Sequence, residues 1–393
     1  MKKIVLAIEN FSPFAGGAES YAVALASILV QNGWEVHLFG ETWEGEPGSA
    51  VFHRISIPKW LPSWARILTF ALKHRGMVRR QDFDVVLGFG NTIDMNVYQS
   101  HGGVHRFSTL RKVYSENHMI LRIIKRVLIT FSIKQWARNW IESAPFRQEQ
   151  RPKIIAISHM IKKDMASFFH INEAEIKIVY NGVDTTQYNS DLQRRLRGPL
   201  RHHLGISEHD VIFLFISYDL KKKGILPLVD AAASLKQTSK DRFKILVVGG
   251  SPYPSLLKRI KKKGLTDTII FTGQSRSIKE FYGNADVFVL PTYYDACSLV
   301  VIEAMASGLP SITTVYNGAA GIITDGKDGY IISHPPEPVE LEDRMRSLMA
   351  PETRAQMSKK AMQTAKKYSI ERNHQEMIKV FNEVAKPDEL SFI

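Results

Sequence analysis

The sequence is short of cysteine. Cys297 is the single one in 393 residues, so no disulfide can form within the chain, and a reducing, cytoplasmic setting is expected. No apolar run approaches the roughly 20 residues that a membrane-spanning helix needs. The opening M-K-K-I-V-L-A-I-E has five apolar residues before Glu9, too few for a signal-peptide core and suited to a first strand. Two phosphate motifs are also missing: a G-x-x-x-x-G-K-[ST] loop, and a clean G-x-G-x-x-G after the first strand. Nucleoside triphosphate hydrolysis and dinucleotide redox chemistry are therefore disfavoured. No Cys/His cluster suggests zinc, and no D-x-D near a strand end suggests a sugar-nucleotide metal site. Neither a metal nor a cofactor is expected. Low-complexity segments and short repeats are absent too.

Acidic residues are outnumbered, 39 against 52 Lys and Arg, giving a net charge of +13. Such a balance suits nucleic acid, an anionic membrane face or a negatively charged substrate. Between His101 and Lys153, 11 basic residues stand against Glu116, Glu142 and Glu149, a local excess of +8. Interleaved with them are Ile120, Ile124, Val127, Leu128, Phe131 and Trp136. The pattern fits a basic amphipathic surface lying on a membrane. It fits equally an apolar core face with solvated charges, because both have the same periodicity.

Apolar runs of strand length recur along the chain, at Lys3–Ile8, Glu35–Phe39, Asp84–Gly88, Ile154–Ser158 and Lys177–Tyr180. After a polar stretch, Thr185–His209, read as the linker and lead-in to a second domain, they resume at Val211–Ser217, Phe243–Val248, Ile269–Phe271, Val287–Leu290 and Ser311–Thr314. Helical patterns separate many of them, which predicts doubly wound parallel sheets. The repetition predicts an α/β chain of two Rossmann-like domains facing each other across a cleft. Domain boundaries are expected at 1–190 and 191–370, with a C-terminal helix, about 371–393, packing back on the first domain.

In such sheets ligands bind beyond the carboxyl ends of strands. Several polar groups fall there. Gly16-Gly17 follows the first strand, where backbone could approach a phosphate or form a plain tight turn. His101 stands just past a strand in S-H-G-G, and Lys221-Lys222-Lys223-Gly224 follows Val211–Ser217. After Val287–Leu290 comes a polar turn with Asp295, then Ser298 as a predicted N-cap for a helix over Leu299–Ser307. The backbone N–H groups of Ser298, Leu299 and Val300 would favour an anion. Glu303 lies one turn further in, within reach of a ribose. Beside that helix start, the lysine run is a candidate diphosphate clamp, although a charge run alone is usually a solvated face.

These motifs together resemble the retaining glycosyltransferases of family 4, which have the GT-B fold. The carriers are P-F-A-G-G-A-E (Pro13–Glu19), S-H-G-G (Ser100–Gly103), Y-N-G-V-D (Tyr180–Asp184), K-K-K-G (Lys221–Gly224) and D-A-C-S-L-V-V-I-E-A-M-A-S-G-L-P (Asp295–Pro310). Glu41–Glu46 and Val85–Tyr98 make the lipopolysaccharide-core glucosyltransferase type the most similar. The resemblance implies that Gly16 and Gly17 approach the donor and that His101 lies near its sugar. Lys222 and Lys223 would hold the diphosphate, and Asp295 would touch the transferred sugar. Glu303 would bind the ribose. The backbone of Ser298, Leu299 and Val300 would bind phosphate, and that of Gln274 and Ser275 the base. Asp295 stands where the family has glutamate, and Lys222 where it often has arginine, which loosens bidentate phosphate binding.

The expected function is metal-independent transfer of a hexose from a UDP-sugar to a lipopolysaccharide-core or other lipid-linked glycan. UDP-glucose or a related UDP-hexose is the expected donor. The basic 101–153 region would dock on the inner leaflet of the cytoplasmic membrane. A nucleotide-sugar epimerase of the same fold is one alternative. A basic nucleic-acid-binding protein is another, disfavoured because no docking motif is present. A non-catalytic carbohydrate-binding relative is a third.

Overall fold

The structure is a computed structural model that describes residues 1–13, 16–45, 48–116, 118–239, 242–275 and 277–385, at 192–194 for the backbone alone. The chain divides into two compact units, Met1–Tyr180 with Asn373–Ile393, and Asn181–Arg372. Phe14, Ala15 and Glu46 of the quoted motifs, and 386–393 of the expected last helix, lie outside the described residues.

The first unit holds strands β1 (Lys3–Ala7), β2 (Glu35–Gly40), β3 (Val51–Arg54), β4 (Val85–Gly88), β5 (Val97–Gln99), β6 (Lys153–Ala156) and β7 (Ile176–Ile178). All pair in parallel, in the order β3-β2-β1-β4-β5-β6-β7. Sequence order reverses between β1 and β4, so the crevice of this sheet opens at their carboxyl ends. Buried on both faces, β1 and β4 read as short continuous apolar runs. Helix α1 (Gly17–Gln31) packs Tyr21, Ala22, Leu25 and Leu29 into the core of β1, β2 and β4. Met377, Val380 and Phe381, from the helix Ile370–Val384, join the same core although they come from the far end of the chain.

The basic region forms α2 (His105–Lys112), α3 (Met119–Thr130) and α4 (Ile133–Ser143). Here the structure removes the core reading of the periodicity. Helix α3 buries none of its residues. Ile120, Leu128, Phe131 and Trp136 are 70%, 66%, 80% and 73% exposed. They are not core.

The second unit holds β8 (Val211–Ser217), β9 (Phe243–Gly249), β10 (Ile269–Gly273), β11 (Val287–Leu290), β12 (Ser311–Thr314) and β13 (Gly329–Ile332). The order is β10-β9-β8-β11-β12-β13, again parallel throughout. Its reversal lies between β8 and β11. The stretch read as a linker is instead built into this unit. It forms helices Ser190–Leu196 and Pro199–His203, and Arg201 is fully buried. The Arg201 guanidinium donates to the carbonyls of Asn284, Ser207 and Asp210 and pairs with Asp286 at 2.7 Å, so each of its edges is satisfied. A charge-rich composition hid that clasp.

Candidate active site

In the second unit the lysine loop follows β8 and the Asp295 loop follows β11, the two neighbours at the reversal. Their approach is built into the backbone. Gly224 has φ +87°, and a Cβ there would come within 2.0 Å of the Pro291 carbonyl, so glycine alone lets the loop lie against the end of β11. Tyr293 N–H donates to the Lys222 carbonyl at 3.0 Å. Lys223 Nζ then reaches the Asp295 carboxylate and the Tyr294 carbonyl, 3.4 Å away. Lys222 is paired with Asp219, whose Oδ1 also accepts the Lys222 backbone N–H at 3.1 Å. Lys222 and Lys223 both therefore rest on carboxylates. The sequence placed the lysines and Asp295 at these strand ends but not against one another.

The helix α5 (Leu299–Ala306) starts where expected, with Ser298 at the N-cap position. Ser298 does not cap with its side chain. Asn317, on the loop after β12, secures the helix start instead. Its Oδ1 accepts the Ser298 N–H at 3.2 Å and the Ala319 N–H at 3.1 Å. Of the three expected anion donors, Ser298 is thus engaged, while Leu299 and Val300 are first-turn positions without an intrahelical acceptor. Thr292 to Cys297, read as a polar turn, is largely buried. Asp295 is held by its own backbone, its N–H donating to Tyr316 O at 2.9 Å and its carbonyl accepting from Gly318 at 2.8 Å.

Glu303 lies one turn into α5 and accepts from the Tyr282 hydroxyl at 2.8 Å. Burial pushes its carboxyl up to about 7, and the Tyr282 hydrogen bond acts in the opposite direction. Gln274 and Ser275 follow β10, the edge strand two positions from β8. Gln274 is exposed, and Ser275 Oγ accepts from the Ser277 N–H at 3.0 Å. Sequence reading missed Asn317, Asp219 and Tyr282. For Asn317 no short-range signal exists, since it acts on Ser298 from the next crossover.

In the first unit, Gly16 is the N-cap of α1 with φ −64° and ψ 171°, and Gly17 is the first helical residue. The Glu19 carboxylate folds over Gly16, 2.6 Å from where a Cβ would stand. His101 follows β5 and is buried, its ring tilted on Tyr21 with centroids 4.3 Å apart and edge-on to Phe89 at 5.5 Å. Its Nε2 is buried without a partner among the described residues. Burial pulls its pKa down to about 3, so the imidazole is neutral at any working pH. Glu9, just past β1, has its carboxyl raised by burial despite the nearby charge of Arg138.

The chain matches two family models end to end. Residues 15–187 match the one described as Glycosyltransferase Family 4, and residues 197–368 the one described as Glycosyl transferases group 1. The chain belongs to the glycosyltransferases. Among curated relatives, the lipopolysaccharide glucosyltransferase WaaG of Escherichia coli (strain K12) is 23% identical over 347 residues, 88% of this chain and 89% of its own. The solved structure of WaaG superposes with a TM-score of 0.80 at 20% identity, covering 96% of this glycosyltransferase and 99% of WaaG. Anabaena HepE, solved in complex with UDP and glucose, superposes with a TM-score of 0.68 at 16% identity over 97% of this chain and 99% of its own. These likenesses identify the fold as GT-B. Two parallel Rossmann-like sheets were expected, and two are found.

Proposed function

We propose that this glycosyltransferase moves a hexose from a UDP-sugar to a lipopolysaccharide-core or other lipid-linked glycan, with retention at the anomeric carbon and without a metal. One observation carries the reading: Lys222, Lys223, Asp295 and the start of α5 lie on the loops of two adjacent strands at a topological switch point. Diphosphate oxygens would take Lys222, Lys223 and the Leu299 and Val300 N–H groups. Glu303 would take the ribose, and the Gln274–Ser275 backbone the base. The names of two similar proteins favour this choice of donor and acceptor, WaaG for the glycan and HepE for UDP and glucose.

The chemistry needs charge more than a nucleophile. As the C1–O bond breaks, the sugar takes on oxocarbenium character and negative charge grows on the departing diphosphate. Fixed lysines and helix N–H groups stabilise that charge where it develops. The acceptor hydroxyl then adds on the face the diphosphate leaves, giving its proton to the departing phosphate oxygen. Neutral His101 suits a place beside the sugar, where an imidazolium would disfavour a developing cation. By the family resemblance, Gly16 and Gly17 are further candidates for backbone contact with the donor.

The same reading makes the enzyme peripheral to the inner face of the cytoplasmic membrane. Among the described residues no helix is long and apolar enough to cross a bilayer. Exposed Ile120, Leu128, Phe131 and Trp136 stand among Arg122, Lys125, Arg126 and Lys134. That arrangement suits insertion of an apolar edge below anionic headgroups, where each basic residue contributes about 1 kcal/mol. Nucleic acid is not a partner in this scheme.

A thermal-shift panel of UDP-, GDP- and ADP-sugars, followed by transfer of labelled hexose to a deacylated lipopolysaccharide core, tests the proposal. Stabilisation by UDP-sugars and a product of retained configuration are expected. Conversion of the UDP-sugar to a different sugar nucleotide with no acceptor present would overturn it in favour of an epimerase.

A further inference from the structure

Tyr282, on the helix Ile278–Asn284, is fully buried, with its ring edge-on to Tyr188 at a centroid distance of 5.6 Å. Its hydroxyl stands 2.8 Å from Glu303 Oε2 and 3.2 Å from the carbonyl oxygen of Val300. One phenolic proton thus touches both ends of the first turn of α5, the turn assigned to ribose and phosphate. Among the described residues no side chain bonds Glu303 Oε1, and Glu303 keeps a partly exposed edge.

We propose that Tyr282 is the positioning residue of the donor ribose site: its hydroxyl holds Glu303 as a carboxylate by Oε2 and leaves Oε1 to accept a ribose hydroxyl. The inference rests on Glu303 being the ribose acceptor. A protonated carboxyl loses half of its value there, since one oxygen becomes a donor. Burial favours that neutral form and the phenol opposes it, so the carboxyl titrates at about 7. The other titratable groups nearby are few. Tyr188 lies on the Tyr282 ring and feels the Glu303 charge, with Asp184 and the Lys279 ammonium, 6.0 Å from the Tyr188 centroid, beside it. The helix Pro351–Ala365 also packs on α5; its Glu352, Lys359 and Lys360 are exposed. The part of donor affinity that comes from the ribose hydroxyls is then a function of pH through Glu303, and Tyr282 sets where that function breaks.

The experiment is calorimetric titration of UDP and of 2′,3′-dideoxy-UDP into the full-length wild type, Tyr282→Phe and Glu303→Gln between pH 5.5 and 9.5, with melting temperatures recorded alongside; the break is read from the ratio of the two affinities, in which the titrations of phosphate and uracil cancel. If the nucleotide panel selects another nucleoside diphosphate, that one is used. Wild-type affinity falls as pH drops through about 7. In Tyr282→Phe the break moves up by about one pH unit, the shift that loss of one neutral hydrogen bond corresponds to. Glu303→Gln shows no break in that ratio and binds UDP about tenfold more weakly. With 2′,3′-dideoxy-UDP the three proteins share one pH profile, set by the ligand's own terminal phosphate and uracil. If Glu303→Gln binds UDP as wild type does at every pH, Glu303 does not hold the ribose, and the donor-site assignment falls. If Glu303→Gln binds weakly but Tyr282→Phe leaves the break in place, the assignment stands and the Tyr282 inference is wrong. A lower melting temperature with an unmoved break belongs to that second outcome, because loosened packing lowers affinity alike at all pH values.

Discussion

Replacing Asp295 by asparagine separates donor holding from transfer. The Asp295 carboxylate pairs with Lys223, and the two side chains are 21% and 24% exposed. At an effective dielectric of about 20, two charges about 4 Å apart attract by about 4 kcal/mol. Desolvation and solvent screening leave about 1 kcal/mol of that for a partly exposed pair. A diphosphate has to compete for the same ammonium. Asparagine, nearly isosteric, removes the competitor and keeps the backbone bonds to Tyr316 and Gly318. The expected result is UDP binding tighter by about fivefold, the equivalent of about 1 kcal/mol. On the sugar contact proposed for Asp295, transfer should fall at the same time by about a hundredfold or more. Calorimetry with UDP and a labelled-hexose transfer assay read the two effects separately. Unchanged or weaker UDP binding in Asp295→Asn would refute the idea that Asp295 holds Lys223 in reserve for phosphate.

Other outcomes follow from the same structure. Gly224→Ala places a methyl group 2.0 Å from Pro291 O at φ +87°; a loss of at least about 2 kcal/mol in stability is expected, with loss of UDP binding, and an unaltered melting curve would contradict it. Leu128→Asp on the exposed face of α3 should leave the melting temperature unchanged while weakening binding to anionic liposomes at least about tenfold, since one large apolar side chain contributes about 1.5–3 kcal/mol when buried; equal binding to neutral liposomes would argue against the anionic surface. His74 is fully buried and burial lowers its pKa from 6.5 to about 4. Its neutral form therefore supports the fold fully above pH 6.5, and that support is lost as pH falls toward 4. His74→Leu should remove up to about 1.4 kcal/mol of acid sensitivity per pH unit in that window, read from denaturant unfolding at pH 7 and pH 5; parallel losses in both proteins would sink the assignment.

Periodicity and strand-ending turns were enough to read two doubly wound sheets. Buried parallel strands advertise themselves as apolar runs, and Val211–Ser217 and Val287–Leu290 were placed to the residue. Short strands with mixed faces, such as Val51–Arg54, went unread, because V-F-H-R carries neither a clear alternation nor an apolar run. Thr185–His209 leads into the second unit as read but is no linker, and that miss has a different cause. A buried arginine with every edge bonded looks, in a sequence, like any surface charge.

What the sequence determined by itself was the inventory: parallel sheets, glycine turns, a lysine loop and an anion-suited helix start, each a consequence of local patterning. Only the tertiary structure decided that Lys223 rests on Asp295, that Asn317 rather than Ser298 closes the helix start, and that Tyr282 stands behind Glu303. It also exposed the α3 face that periodicity alone left open between core and surface. Those facts join residues 19 to 72 positions apart, or depend on what does or does not pack over a helix. Strand order brings such partners together, and local patterning cannot encode it.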